Sequence, residues 1–254
     1  MGGRLWEGYF FVQAQKTASG FPDAVYHDQN AFAMLQFVEE AIPTGLYVFN
    51  SKMEDINVMR TMMEKAGFQT VTGNTVKTAA ARAMDREVYV FRLAKCDAAT
   101  ADFFSKKVYP ALKNGALVIC FGYGSGFAPD KFFNDPALKL KWSGWRIDKS
   151  RKSYDVLPGK WQTDPYDLRP ALFRTLTPAS GWYPQNPAAW KNHGKVKIVD
   201  GTFASFLLST KVGKGTLVVS STDFGFSGGH VMFGNKNKDQ AVMLLRNLYQ
   251  MHRQ

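Results

Sequence analysis

The sequence predicts a three-layer α/β domain, in which a mainly parallel central sheet lies between two layers of helices. Short runs of β-forming residues alternate with stretches whose apolar residues recur at helical spacing. Consecutive strands that are joined through a helix pair in parallel within one sheet. The unbroken apolar run at residues 117–121 is typical of a central strand that is buried on both faces.

The elements of the first half follow a regular order. Strands are predicted at residues 45–50, 68–73, 86–93 and 117–121, and helices at residues 54–67 and 97–114. Gly67 stands at the end of the first helix, where glycine is a common C-terminal cap. Asp97 is suited to cap the second helix, because its carboxylate can accept a backbone N–H of the first turn.

Residues 128–195 depart from this order. They hold most of the prolines and five of the six tryptophans, namely Trp142, Trp145, Trp161, Trp182 and Trp190. We expect an irregular insertion that lies over one edge of the sheet and contains a few short strands. Its tryptophans can anchor the insertion to the sheet, or can stack on sugars and unstacked bases if they are exposed.

Regular elements return after the insertion. Strands at residues 203–211 and 216–222 are predicted to form a hairpin, since Gly213, Lys214 and Gly215 favour a tight turn. A helix at residues 239–249 follows, with an apolar face suited to cover the sheet. Residues 1–43 are predicted to be an N-terminal extension with one further strand and helix, so that the main domain comprises residues 44–254.

The composition limits the class of protein. Hydrophobic residues make up 45% of the 254 residues and charged residues 21%, as in ordinary globular proteins. No apolar run reaches the roughly 18 residues that a membrane-spanning helix needs. The net charge of +11 can attract acidic partners, and basic side chains are most concentrated at residues 139–152.

The stretch LVICFGYGSGF at residues 117–127 is the most informative for chemistry. Cys120 lies near the end of an apolar strand, at a corner where a thiol can serve as a nucleophile if a base lowers its pKa. It can equally be a small buried hydrophobic residue. Gly122, Gly124 and Ser125 form a candidate ligand-binding loop, because ligands of open α/β sheets bind at the carboxyl ends of the strands.

The whole arrangement resembles a known family. The early strand–helix units, LVICFGYGSG, the long insertion, and KVGKGTLVVSSTDFG followed by DQAVMLLRNLY are similar to the class I glutamine amidotransferase-like superfamily of flavodoxin-like α/β proteins. The resemblance covers about residues 45–250. It is closest to a divergent, non-catalytic branch that is found in large bacterial multidomain proteins, many of which are carbohydrate-active.

The resemblance implies where a catalytic site would lie. Active members carry the nucleophile in Gly-x-Cys-x-Gly after a central strand, and His-x-Glu after a later strand. In this sequence Val118 occupies the position of the first glycine, and Asp223 follows the later strand without any His-x-Glu. His230, in the loop FSGGHVMFG, is the histidine that could reach Cys120.

The sequence therefore predicts a non-catalytic binding or assembly module of a larger bacterial protein, linked to carbohydrate metabolism. One alternative is a cysteine hydrolase or amidase that uses Cys120 as nucleophile and His230 as base, with Asp223 as a further catalytic candidate. Another is a basic module that binds nucleic acid or acidic glycan through residues 139–152. The candidate ligand-binding residues are Gly122, Gly124, Ser125, Trp142, Trp145 and Arg146.

Cofactors and metals are not predicted, because the two cysteines and four histidines form no cluster with metal-ligand spacing. The expected partners are other domains of a longer parent chain or a second copy of this chain. Carbohydrate is a candidate ligand, and nucleic acid is not expected. No membrane span is expected, and a secreted or periplasmic location would require a signal peptide ahead of this sequence.

Overall fold

The computed structural model of the chain describes residues 42–49, 57, 60–61, 63–64, 67–81, 86–93, 97–122, 127–144, 154–156, 180–221 and 238–253. These residues form an α/β fold with one mixed sheet of ten strands, which confirms the predicted α/β class. The strands are β1 (Ile42–Val48), β2 (Phe68–Gly73), β3 (Val88–Leu93), β4 (Leu117–Gly122), β5 (Leu140–Trp142), β6 (Tyr154–Val156), β7 (Trp182–Pro184), β8 (Lys191–Lys197), β9 (Phe203–Val212) and β10 (Gly215–Ser220). The helices are α1 (Val76–Ala80), α2 (Ala98–Phe103), α3 (Tyr109–Lys113), α4 (Pro129–Phe133) and α5 (Lys238–Arg253).

One half of the sheet is parallel. Its strands stand in the order β2-β1-β3-β4-β10, and every neighbouring pair within it is parallel. If these five strands are numbered by their order in the sequence, so that β10 becomes strand 5, their order in the sheet is 2-1-3-4-5. This is the order of flavodoxin-like sheets. β1 begins at Ile42, two residues before the predicted start of the main domain, and residues 1–41 lie outside the described part of the chain.

The other half of the sheet is antiparallel, so the prediction of a mainly parallel sheet is corrected to a mixed one. β9 pairs antiparallel with β10, β7 and β8, and these strands in turn carry β5 and β6. The tight turn makes β9 run antiparallel to β10, as two strands joined by a turn of two residues must. The difference from the prediction comes from β5, β6, β7 and β8, which add further antiparallel pairs to β9 and to one another.

The insertion extends the sheet at this antiparallel side. It contributes the three-residue strands β5, β6 and β7 and the beginning of β8. The few short strands predicted at residues 128–195 are therefore present, but they join the sheet by backbone hydrogen bonds instead of only lying over its edge. Residues 145–153 and 157–179 of the insertion lie outside the described residues.

The predicted helix at residues 97–114 is confirmed. α2, a π-helical turn (Phe104–Val108) and α3 follow one another without a break, and together they are called the 98–113 helix. Asp97 caps its N-terminus as predicted, because its carboxylate accepts the Thr100 N–H at 2.8 Å. This bond satisfies one of the backbone donors that the first turn of a helix leaves unpaired.

The β9–β10 hairpin is also confirmed, and it is fixed to the 98–113 helix. Gly213 in the turn has a φ of 59°, a left-handed conformation that favours glycine. Lys214 N–H donates to the Lys113 carbonyl at 3.0 Å. The hairpin thereby satisfies one of the carbonyls at the C-terminus of the helix.

Helices cover both faces of the parallel half. Val118 and Cys120 of β4 share a buried cluster with Phe104 and Leu112 of the 98–113 helix. The opposite face is covered by α5, whose His252 ring nitrogen Nδ1 lies 2.9 Å from Thr216 Oγ1 of β10. None of the helices within the described residues is long and apolar enough to cross a membrane.

Candidate functional site

Cys120 lies inside the central strand and not at its end. β4 continues to Gly122, and Cys120 is paired with Phe91 of β3 on one side and Val219 of β10 on the other. Its side chain is 0% exposed. The strand-to-loop corner at which a nucleophile would face substrate therefore lies beyond Cys120.

The surroundings of the thiol are aromatic and closely packed. Cys120 belongs to the same buried cluster as Phe91, Phe104 and Phe132. The ring centroids of Phe91 and Phe104 are 4.6 Å apart, and those of Phe104 and Phe132 are 5.1 Å apart. The thiol is thus closed off from solvent in this arrangement.

Burial also raises the pKa of the Cys120 thiol far above its ordinary value, because the apolar cluster disfavours the charged form. The thiolate is the nucleophilic form of cysteine. In the described structure, Cys120 therefore has the properties of a small buried hydrophobic residue rather than those of an activated thiol.

Several predicted site residues lie outside the described residues, namely Gly124, Ser125, Trp145, Arg146, Asp223 and His230. Gly122 is described as the last residue of β4. The pairing of Cys120 with His230 and the ligand-binding role of the glycine-rich loop consequently remain predictions from the sequence.

The described tryptophans of the insertion act as anchors. Trp182 is 1% exposed and Trp190 is 6% exposed, and both belong to the buried cluster that contains Cys120. Trp142 is partly buried and packs against the same cluster. These three indoles are thus held against the sheet, whereas a stacking surface for sugars or bases needs open ring faces.

A second arrangement of polar side chains was not predicted as a site. It begins at His193, which has no opposite residue in the β8–β9 register because the register shifts between Asn192 and Gly194. Such a bulge re-aims a side chain. The His193 Nε2 atom lies 2.7 Å from Ser209 Oγ of β9.

Both histidines near this arrangement are held neutral. His193 is 1% exposed, and its burial, together with the positive charge of Lys191, lowers its pKa to about 4. The pKa of His252 is also lowered, chiefly by burial and next by the charge of Lys211. A neutral imidazole can act as donor or acceptor towards its hydroxyl partner, depending on its tautomer.

A pocket opens beside the contacts of His193 with Ser209 and of His252 with Thr216. Its volume is about 650 Å³, within the range of small-molecule sites. The polar residues that line it are Lys191, Ser209, Thr210, Lys211 and Thr216. Trp190 and Ala189 at the start of β8 and Met251 of α5 supply apolar walls.

Sequence reasoning could have found one part of this pocket. Ser209 and Lys211 are two residues apart in a predicted strand, so both had to lie on one face. The contacts with His193 and His252 join residues that are 16 and 36 positions apart. A search for local motifs does not detect such contacts.

Within the described residues, no group of three or more His, Cys, Asp or Glu side chains could hold a metal ion.

No protein-family model matches the chain, and no curated protein sequence matches it. Solved structures resemble it at low identity. A cytoplasmic protein from Salmonella typhimurium is 12% identical with a TM-score of 0.47, and the match covers 82% of this chain and 98% of that one. The β-galactosidase of Bacillus circulans sp. alkalophilus is 10% identical with a TM-score of 0.45, and the match covers 91% of this chain and 35% of the enzyme. The β-galactosidase of Rahnella sp. R3 is 6% identical with a TM-score of 0.45, and the match covers 91% of this chain and 34% of the enzyme.

Proposed function

We propose that the chain is a non-catalytic member of the class I glutamine amidotransferase-like proteins and serves as a binding module within a larger protein. The observation that carries the proposal is the position of Cys120. The residue that would be the nucleophile lies inside β4 with a fully buried side chain. Burial also raises its pKa, whereas nucleophilic cysteines need a pKa lowered by a base or a positive environment.

The strand order supports the family part of this proposal. The parallel half has the flavodoxin-like order, and a hairpin followed by α5 ends the fold, as the resemblance in sequence implies. Fold alone does not imply an activity. The link to carbohydrate metabolism remains a prediction from that resemblance.

The described surface favours binding of a ligand over assembly with another protein. An assembly surface would leave a wide apolar patch bare in the isolated chain. Among the described residues, the exposed large hydrophobic side chains are Val199, in the link between β8 and β9, and Phe203, the first residue of β9. The Lys195 ammonium nitrogen lies 5.3 Å from the centre of the Phe203 ring, so this ring is already in contact with a cation.

Substitution of Cys120 tests the proposal. Serine and alanine have nearly the same volume, so the two variants leave similar cavities and differ in one hydroxyl group. If Cys120 is a buried apolar residue, Cys120→Ser should be less stable than Cys120→Ala by about 1–3 kcal/mol, the cost of burying an unpaired hydroxyl. Urea unfolding of both variants and the unchanged protein measures this difference.

The hydrolase hypothesis predicts another order of stabilities. A nucleophile that faces a polar active site tolerates a hydroxyl, and replacement of such strained or activated groups often leaves stability unchanged or increases it. If Cys120→Ser is as stable as Cys120→Ala or more so, the non-catalytic role of Cys120 is contradicted.

A further inference from the structure

The register of the sheet brings four polar side chains of the pocket onto one face. Lys191 of β8 is opposite Ser209 of β9, and Lys211 of β9 is opposite Thr216 of β10. Ser209 and Lys211 are two residues apart on β9, so the two cross-strand pairs lie side by side. Lys191 and Lys211 are therefore diagonal neighbours, with Cα atoms about 7 Å apart, and both long side chains can reach one ligand.

Positive charge is in excess around this face. Within the described part of the chain, no carboxylate forms an ion pair with Lys191 or Lys211. The carboxylate of Glu87 acts on His252, but it already has two partners. It accepts a hydrogen bond from Tyr249 and forms an ion pair with Arg253. An anion bound between the two lysines would lower the electrostatic cost of holding them close together.

The Ser209 hydroxyl can donate to a ligand in one tautomer of its histidine partner. When His193 Nε2 carries the proton, it donates to Ser209 Oγ and leaves the serine O–H free to donate elsewhere. A neutral His252 has one ring proton, and it also has the Gly115 carbonyl, which can only accept, as a partner. The Thr216 O–H is therefore assigned as the donor to His252 Nδ1. The Ser209 hydroxyl beside two ammonium groups matches the several acceptor oxygens of a phosphate or carboxylate.

The remaining walls are apolar. Ala189 and Trp190 close the pocket at the start of β8, and Met251 closes it from α5. A bare inorganic anion would leave most of the volume of about 650 Å³ unfilled. The walls therefore favour a ligand that carries an apolar group as well as its charge.

We propose that this pocket binds a small organic anion, with its phosphate or carboxylate group between Lys191 and Lys211 and its apolar part against Trp190 and Met251. The inference rests on the proposed function, because it supplies the ligand class of the binding module. Charge-assisted hydrogen bonds from the lysines give affinity, and the hydroxyl of Ser209 gives orientation.

Titration calorimetry at low ionic strength tests the site, with phenyl phosphate and benzoate as anionic probes and benzyl alcohol as the neutral probe of similar size. We expect saturable binding of at least one anionic probe, and the comparison of the two distinguishes phosphate from carboxylate. Lys191→Gln and Lys211→Gln should each weaken binding about tenfold, the effect of one lost charge-assisted hydrogen bond. Lys197→Gln is the matched control, since Lys197 is an exposed lysine at the far end of the same strand.

Three results would overturn the inference. The first is that neither anionic probe binds, and the second is that the neutral probe binds as tightly as the anionic ones. The third is that Lys197→Gln weakens binding as much as the two pocket variants. The last result would indicate attraction by the overall positive charge rather than a defined site. All variants keep Cys120, so the stability test of Cys120→Ser separates a failure of this site from a failure of the proposed function.

Discussion

Replacement of Gly215 with alanine is expected to destabilise the protein by at least about 3 kcal/mol, the upper range for overpacking. Gly215 begins β10, where the strand passes the end of the 98–113 helix. A Cβ atom added there would lie 2.5 Å from the Ala116 carbonyl oxygen and closer still to the Leu112 carbonyl oxygen. Both oxygens belong to the backbone, so no rotamer change can relieve the contact, and the hairpin or the helix must move.

Gly201→Ala provides the matched control. Gly201 has a positive φ of 86° and no atom within 4 Å of an added Cβ, so its substitution costs only the backbone strain of roughly 1–2 kcal/mol. Urea unfolding of the two variants measures both costs. A Gly215→Ala variant that is as stable as Gly201→Ala would show that β10 does not pass the helix as closely as described.

The second large effect is a dependence of stability on pH that arises from His193. Its pKa is lowered from 6.5 to about 4 in the folded protein, so between these values the unfolded chain binds a proton that the folded protein does not. The contribution of neutral His193 to the free energy of unfolding is fully present above pH 6.5 and is lost as the pH falls towards 4. One pKa unit corresponds to about 1.4 kcal/mol, so the expected loss is about 3 kcal/mol.

His193→Gln isolates this contribution, because glutamine can keep a hydrogen bond to Ser209 and does not titrate. The free energy of unfolding of the variant should fall less steeply between pH 6.5 and 4 than that of the unchanged protein. His252→Gln serves as the comparison, since the His252 ring is only partly buried and should contribute less. Parallel curves for the His193→Gln variant and the unchanged protein would mean that His193 does not remain neutral in the fold.

The parallel half of the fold could be predicted because its signals are local. β3 and β4 are short, largely apolar runs, and Asp97 marks the beginning of the helix that it caps. The β9–β10 hairpin was predictable for the same reason, since its turn is set by Gly213 and its neighbours. Such features depend on a few adjacent residues, which a single sequence displays.

The rest of the antiparallel half, beyond the β9–β10 hairpin, could not be predicted because its pairing is non-local. β5 and β7 are three residues long, and they carry no clear alternation of apolar and polar residues. β7 contacts β9 through one register pair, Trp182 with Ser205. The position of such strands depends on tertiary contacts of the tryptophans, and strand propensity alone is a weak guide to them.

The candidate sites also differ in whether their signals are local in the sequence. The sequence directed attention to Cys120 because the motif around it is local, and the structure places its side chain in the core. The pocket at Lys191 and Lys211 depends on a cross-strand register and on a bulge at His193. Neither feature leaves a sequence motif, so only the three-dimensional arrangement reveals the site.

The most direct test of the central claim is the alkylation rate of Cys120 as a function of pH, in a Cys96→Ser background so that one thiol reports. The buried position predicts no reaction with iodoacetamide in the native protein at any pH at which it stays folded, and rapid reaction after unfolding in urea. A fast native reaction with a midpoint well below the ordinary thiol pKa of about 8.5 would contradict the account. Cys120 would then be an activated nucleophile, and the chain would be a candidate hydrolase.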